Sequence, residues 1–412
     1  MKLSTELTNR GFIHQHSAET ITEILDGQKR VIYHGVDPSA DSIHAGNFAV
    51  WMMLRHLVHA GHKVILLVGG GTGMIGDPKP DVERPLTPPE EVAKRVEKLS
   101  TQAKRLLGSE VMFVNNHDWL GNLQLIDFLR DIGKHFTVNE LIKKDAIATR
   151  LAGEHGISYT EFAYPLLQAY DYLELNRTHG CDVQVGGSDQ WGNIIAGVEL
   201  VRKKEQKTVH AITIPLIIDK ATGKKFGKSE GNAVWLDAEK TSPFVFYQFW
   251  LNTADENVID YLKIFSLLSL EAIEQCESEH EINPGARLAQ RKLATEITHI
   301  VHGEDITKAV VEVSEILFGT VSLSVLSNEA KNILLKNAPQ TKVTVGQALV
   351  DILVETALAT SKREARTFIE SGAIALNDIK ITNVECALQD EHFNDGLILL
   401  RRGKKQVHLL IM

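Results

Sequence analysis

Cysteine is scarce in this sequence: Cys181, Cys276 and Cys386 are the three among 412 residues, and they lie far apart. Such spacing builds neither a disulfide framework nor a zinc site, and it fits a reducing, cytoplasmic setting. Long apolar runs are missing too, since nothing approaches the ~20 residues needed to span a bilayer. The start, Met1 to His16, lacks the apolar stretch of a secretory signal, and Glu6 and Glu19 speak against an organelle transit peptide. No internal repeat or low-complexity segment stands out. Positive charge is also short: 44 Lys and Arg face 53 Asp and Glu, a net charge of -9. A nucleic-acid surface therefore has to be local rather than global.

What is present reads as a globular protein, with 43% hydrophobic and 24% charged residues and a length suited to two or three domains. Its most informative stretch is Tyr33-His-Gly-Val-Asp37-Pro-Ser39-Ala-Asp-Ser-Ile-His44-Ala-Gly46-Asn47. It joins a strand-like run, Arg30 to Tyr33, to a segment from Phe48 to Gly61 with apolar residues at helical spacing. A helix start leaves N–H groups unpaired and carries partial positive charge, so it suits phosphate. His44 and Asn47, three residues apart, can face one anion, and Gly46 leaves room for a base. The same polar turn also reads as a simple helix cap. Downstream, Lys224-Lys225-Phe226-Gly227-Lys228-Ser229-Glu230-Gly231 is either a solvated basic turn or a loop that neutralises a leaving pyrophosphate.

Taken together, the two stretches resemble the His-Ile-Gly-His and Lys-Met-Ser-Lys-Ser signatures of class I aminoacyl-tRNA synthetases, in the form of the tyrosyl-tRNA synthetase family. Gly69-Gly-Gly-Thr-Gly-Met-Ile-Gly-Asp77-Pro, Tyr164-Pro-Leu-Leu-Gln168-Ala-Tyr-Asp171 and Gly186-Gly-Ser-Asp189-Gln190-Trp-Gly192-Asn look like that family's pattern in its order. The resemblance covers nearly the whole chain.

Strand candidates at His62–Val68, Val111–Val114 and Val183–Val185 alternate with helical stretches at Glu90–Leu107, Leu123–Ile132 and Tyr159–Leu175. This order predicts an α/β fold, a mostly parallel sheet wrapped by helices with ligands beyond the strands' carboxyl ends. Gly71-x-Gly73-x-x-Gly76 has the dinucleotide-binding spacing, but Asp77-Pro-Lys-Pro80 follows where a helix should open, which argues against an oxidoreductase. Ser188 lies outside any Gly-x-Ser-x-Gly elbow, so a hydrolase nucleophile is not indicated.

The resemblance implies a Rossmann-like catalytic domain over residues 1–230, an α-helical domain over 231–326, an irregular linker over 327–344, and a small α+β S4-like RNA-binding domain over 345–412. It implies that Asp77, Tyr164 and Gln168 hold a tyrosine ammonium group, Tyr33 and Asp171 its phenol, and Gln190 its carboxylate. ATP, with Mg2+ on its phosphates and no metal held by the protein itself, would meet Asp37, Ser39, His44, Gly46, Asn47, Asp189, Gly192 and Lys228. His44, Asn47, Lys225, Lys228 and Ser229 would stabilise the phosphates during reaction. Two basic clusters, Lys362, Arg363 and Arg366, then Arg401, Arg402, Lys404 and Lys405, are expected to contact tRNA(Tyr). A homodimer is expected, with Ile126 to Phe136 as the contact.

Three departures from the pattern stand out: Asn47 replaces a second histidine, His34 stands where cysteine is frequent, and Asp77 to Arg84 is one residue short. Lys79 and Arg84 are both candidate phosphate cations there. A tryptophanyl-type synthetase, a small-molecule adenylyltransferase and a non-catalytic RNA-binding relative remain as alternatives. Tyr33 with Asp171 favours a phenol, the carboxyl-terminal module favours RNA, and the lysine loop favours catalysis.

Overall fold

Val31-Ile-Tyr-His-Gly-Val36 (β2) and Lys63-Val-Ile-Leu-Leu-Val68 (β3) run side by side in parallel register, Val31 opposite Lys63 and Val36 opposite Val68. The near-continuous apolar run of β3 is what a strand covered on both faces requires. In the computed structural model these two strands belong to a six-stranded sheet. The described residues are all but 80, 81, 154, 155, 230, 231, 320–322, 324, 325, 404 and 405, and exclude the side chains of Asp145, Lys228, Ser229 and Asn232.

The sheet is completed by β1 (Gln15–His16), β4 (Met112–Asn115), β5 (Val183–Gly187) and β6 (His210–Ile214), in the order β1-β6-β5-β2-β3-β4. All neighbours are parallel except β1, which runs antiparallel to β6. From β2 the chain moves outward to β3 and β4, then returns to β5 on the other side. The reversal leaves a crevice beyond the carboxyl ends of β2 and β5, where open α/β sheets bind ligands.

Local chemistry sets the helices that flank this crevice. Helix Ala45–His59 starts after His44 and stops before Gly61, whose φ is +83°. Helix Tyr159–His179 is capped by the Ser158 hydroxyl, which accepts from the Glu161 N–H, and ends at left-handed Gly180. The Gly71-x-Gly73-x-x-Gly76 segment forms a short 3-10 turn, Thr72–Met74, and among the described residues the next helix is Pro89–Leu107.

By contact the chain divides into one unit of residues 1–241 with 253–293 and another of 242–252 with 294–412. This cuts across the expected helical domain. Helix Asp255–Phe265 belongs with the sheet, because Phe265 is fully buried against Phe48, with nearly parallel rings 6.3 Å apart, and against Phe226 at 5.4 Å. Polar ties reinforce the packing. Asn257 donates to Asp219 and accepts from the Lys220 N–H, and Arg10 donates to the carbonyls of Lys263 and Leu268. Within the second signature, β7 (Lys228–Ser229) pairs with β8 (Asn232–Ala233).

In the second unit, helices Pro243–Leu251, Glu304–Phe318 and Asn328–Asn337 accompany a five-stranded sheet. Its strands are β9 (Gln340–Lys342), β10 (Ile374–Leu376), β11 (Ile379–Ile381), β12 (Leu397–Arg402) and β13 (Gln406–Ile411), in the order β11-β10-β12-β13-β9. Leu353, Ile369, Ile374, Ile398 and Leu410 fill its core. Residues 327–344, expected as an irregular linker, hold a helix and β9, because Ser327 caps the helix and β9 satisfies the outer edge of β13. Helix Lys362–Glu370 is capped by the Ser361 hydroxyl, which accepts from the Glu364 N–H, and leads into β10 at Ile374.

Truncating Phe265 to Ala should lower unfolding free energy by about 3–5 kcal/mol, read from the urea midpoint at unchanged slope.

Candidate functional site

The crevice is a cavity of about 520 Å³ lined by Tyr33, Asp37, Asp77, Tyr164, Gln168, Asp171, Asp189 and Gln190, with Ser39, Gly46, Asn47 and Lys225 toward the two signatures. Tyr33 and His34 come from the middle of β2, where alternate residues point to opposite faces of the sheet. Tyr164, Gln168 and Asp171 come from helix Tyr159–His179, at spacings of four and three that put them on one helix face. Among the described residues, no partner meets three buried polar atoms on this wall: the Tyr33 hydroxyl, Gln168 Oε1 and Gln184 Oε1. Buried polar groups are normally paired, so these three ask for a ligand.

A hydrogen-bonded relay runs behind the wall. Tyr164 Oη donates to Asp37 Oδ2 at 2.8 Å, and Thr72 Oγ1 donates to Asp37 Oδ1 at 2.7 Å. The Asn116 amide donates to Thr72 Oγ1 at 2.9 Å and to Asp171 Oδ2 at 3.0 Å, and Trp119 Nε1 donates to Asp171 Oδ1 at 2.8 Å. On the other side Gln190 and Asn193 donate to the two oxygens of Asp77 at 2.9 and 3.1 Å.

Burial pushes the Asp171 carboxyl up to about 7 and that of Asp37 up to about 6, while the hydrogen bonds just named pull the other way. Asp77 is raised by burial as well, against its bonds from Gln190 and Asn193. The Tyr33 phenol is raised well above its ordinary value, first by burial and then by the Asp171 charge, so it stays a neutral donor. Burial lowers His34 to about 4, which leaves a neutral ring whose Nδ1–H donates to the Val185 carbonyl at 2.9 Å.

The start of helix Ala45–His59 is built differently from the expectation of free N–H groups. Ala45 donates to the Val234 carbonyl, Gly46 to His44 Nδ1 and Asn47 to the His44 carbonyl, so these donors are engaged. His44 therefore acts as the cap, its ring edge-on to Trp235 at 6.0 Å and outside the cavity lining. The two signatures do meet. A Cβ on Gly46 would lie 2.8 Å from the Phe226 carbonyl oxygen, and one on Gly227, at φ +98°, 2.6 Å from the Gly46 nitrogen. Only glycine at both positions permits this approach.

Other expected residues separate. Asp37 is engaged through both carboxylate oxygens, by Tyr164 and Thr72, and so is tied to the wall that carries Tyr164 and Asp171. Gly192 lines a neighbouring cavity of about 700 Å³, where its carbonyl accepts from Lys144 at 2.6 Å. The side chains of Lys228 and Ser229, and residues Lys404 and Lys405, lie outside the described residues. Lys362, Arg363 and Arg366 are exposed on one helix. Arg401 is not available to a partner in that way: only 8% exposed, it donates to the carbonyls of Ile316 and Leu317 and pairs with Asp378 at 2.9 Å. Arg402 is half-buried, stacked over Phe368 and bonded to the Leu358 carbonyl.

Thr72, Asn116, Trp119 and Gln184 escape the sequence reading. The polar and aromatic run Asn115-Asn-His-Asp-Trp119 directly follows a parallel strand, which is the available signal for two of them. A glutamine inside the apolar strand Val183-Gln-Val185 is the signal for another.

Known proteins match this chain over its length. Residues 26–319 fit the family "tRNA synthetases class I (W and Y)", and residues 329–410 fit "Tyrosine--tRNA ligase SYY-like C-terminal domain". The Tyrosine--tRNA ligase of Lactococcus lactis subsp. cremoris is 46% identical over 422 residues, covering both chains completely. That of Streptococcus mutans is 45% identical over 420 residues, with the same coverage. The crystal structure of a C-terminally truncated mitochondrial tyrosyl-tRNA synthetase from Aspergillus nidulans superposes with TM-score 0.69 at 30% identity, over 75% of this chain and 92% of that one.

The raised carboxyls set a pH dependence. Their folded values exceed the unfolded value, so their stabilisation is complete below about pH 4 and is lost as pH rises through about 6 and 7. Relative to Asp171→Asn, the unliganded wild type should lose stability on the order of 2 kcal/mol between pH 4 and 8, as read by urea titrations at stepped pH.

Proposed function

Because the chain belongs to the tyrosine–tRNA ligase family of class I aminoacyl-tRNA synthetases, we propose a division of labour among the residues of its cavity. The enzyme activates tyrosine with ATP and ligates it to tRNA. The observation that supports the assignment most directly is the unpaired Tyr33 hydroxyl in the same buried wall as Asp171. A substrate phenol gives the Tyr33 hydroxyl a partner and Asp171 a further donor. Phenylalanine leaves the Tyr33 hydroxyl unpaired, at about 1–3 kcal/mol for that orphaned group, while Asp171 keeps its bonds from Asn116 and Trp119. Asn116 and Trp119 aim the Asp171 carboxylate. Asp77, Tyr164 and Gln168 take the ammonium group, with Asp37 orienting Tyr164, and Gln190 stands beside the reacting carboxylate.

In the first step a carboxylate oxygen of tyrosine attacks the α-phosphorus of ATP, and the bond to the leaving pyrophosphate breaks. In the second, the terminal ribose hydroxyl of tRNA attacks the mixed anhydride and AMP leaves. The carboxylate is already ionised, so the first step needs no general base or protein nucleophile. Positioning and charge stabilisation supply the catalysis. Asn47 and Lys225 face the cavity as phosphate contacts beside Gly46 and Ser39, Asp189 takes the ribose, and Lys228 and Ser229 complete the phosphate loop. His44 contributes by capping the helix that presents Gly46 and Asn47. Mg2+, when bound with ATP, would offset the charge of its phosphates, while Asp37 and Asp77 already accept hydrogen bonds at both oxygens.

For the second unit we assign the exposed Lys362, Arg363 and Arg366 to tRNA phosphates. The exposed apolar residues Leu125, Ile126 and Leu129 mark the contact between two copies of the chain, working in the cytoplasm.

ATP–pyrophosphate exchange, run with each amino acid in turn, should proceed with tyrosine alone and fall at least tenfold in Lys228→Ala. Exchange driven by another amino acid, or by none, overturns the reading. Tyr33→Phe should lose roughly 3–10-fold in kcat/KM for tyrosine, the worth of one hydrogen bond. For RNA, Lys362→Ala should weaken tRNA binding and reduce the slope of log K against log salt by about 1, as measured by filter binding at stepped KCl.

A further inference from the structure

Outside the cavity, one buried ion pair has no part in the roles assigned above. Arg150, on helix Asp145–Ala152, is 4% exposed, and Glu161, on the first turn of helix Tyr159–His179, is 2% exposed. Their charged groups lie 3.2 Å apart. A buried pair of this kind gains little stability over apolar packing, because desolvation offsets the attraction. What it supplies here is directed hydrogen bonding. Arg150 Nη1 donates to the carbonyls of Lys79 and Val82 at 3.2 and 2.9 Å, and Nε donates to that of Gly156 at 2.8 Å. Glu161 Oε1 accepts the backbone N–H of Arg84 at 3.2 Å.

These bonds reach the active site through Arg84. The Arg84 Nε donates to the Asp77 carbonyl at 2.9 Å, and its side chain lines the cavity with Asp77, Ser39 and Lys225. Its aliphatic stem lies against Gly76, where a Cβ would come within 3.2 Å of Arg84 Cγ. Lys79, the other candidate cation, is exposed and lies outside the cavity lining, while its carbonyl is held by Arg150. Glu161 stands three residues before Tyr164 and seven before Gln168 on one helix, so Arg84 and the ammonium ligands are referenced to the same element.

We propose that Arg150 and Glu161 are positioning residues for adenylation, which hold Arg84, and not Lys79, as the cation facing the ATP phosphates. The proposal rests on the cavity being the tyrosine–ATP site. The Asp77 carboxylate is pinned independently by Gln190 and Asn193. Loosening the ion pair therefore acts on the phosphate side and spares tyrosine binding.

The test is a double-mutant cycle of Arg84→Ala with Arg150→Lys, followed by ATP–pyrophosphate exchange at saturating ATP, with thermal melting as the control for folding. Lysine keeps the charge but cannot fork to three carbonyls and a carboxylate. The expected result is a kcat loss of tenfold or more in Arg150→Lys, with KM for tyrosine within threefold of wild type. Adding Arg150→Lys to Arg84→Ala should cost less than twofold more. If Arg150→Lys does not fold, Glu161→Gln takes its place in the cycle under the same criteria. A folded variant with kcat within twofold of wild type, or losses that multiply fully with Arg84→Ala, overturns the proposal. So does failure of both variants to fold, since the pair then serves the fold alone. Wild-type exchange with tyrosine separates these outcomes from failure of the site assignment itself.

Discussion

Two carboxylates, the half-buried Asp37 and the buried Asp171, constrain the shape of this cavity. Removing charge from water is costly unless hydrogen bonds replace the lost solvation. Here the replacements are Tyr164 and Thr72 for one, Asn116 and Trp119 for the other, with the Asn116 amide shared between Thr72 and Asp171. The carboxylates and their partners come from the residue just after β2, the turn after β3, the segment after β4 and helix Tyr159–His179. The crevice therefore keeps its shape only if all four elements stay in register. The same wall ends in polar atoms, the Tyr33 hydroxyl among them, that are left without a partner among the described residues.

The second constraint is the meeting of two glycines. Gly46 and Gly227 bring the start of a helix and a lysine-bearing turn into backbone contact, and the Val234 carbonyl closes the seam by accepting from Ala45. The helix start is consequently a joint between signatures, not an open anion site. His44 caps this helix through its ring nitrogen.

Phe265 ties this joint to the residues beyond it. Packed against both Phe48 and Phe226, it connects a helix far along the chain to the two segments that carry the signatures. That packing explains why residues 253–293 group by contact with the sheet rather than with the helices that follow. Polarity along the chain signals a domain boundary only when the apolar residues on each side bury among themselves.

By itself the sequence determined the alternating α/β order, the parallel sheet and its site at the carboxyl ends of the strands. Tyr33, Asp77, Tyr164, Gln168 and Asp171 were singled out by the resemblance of their stretches to a known family rather than by periodicity, and the structure brings them to one cavity. Tertiary structure alone decided which polar groups are spent on one another. That Asn116 serves both Thr72 and Asp171, that Arg401 is consumed by the carbonyls of Ile316 and Leu317, and that residues 327–344 fold as a helix and an edge strand all depend on distant partners. A side chain's charge or hydrogen-bonding capacity is written in its chemistry, but whether it faces a ligand, solvent or another residue is set by packing between segments far apart in the chain.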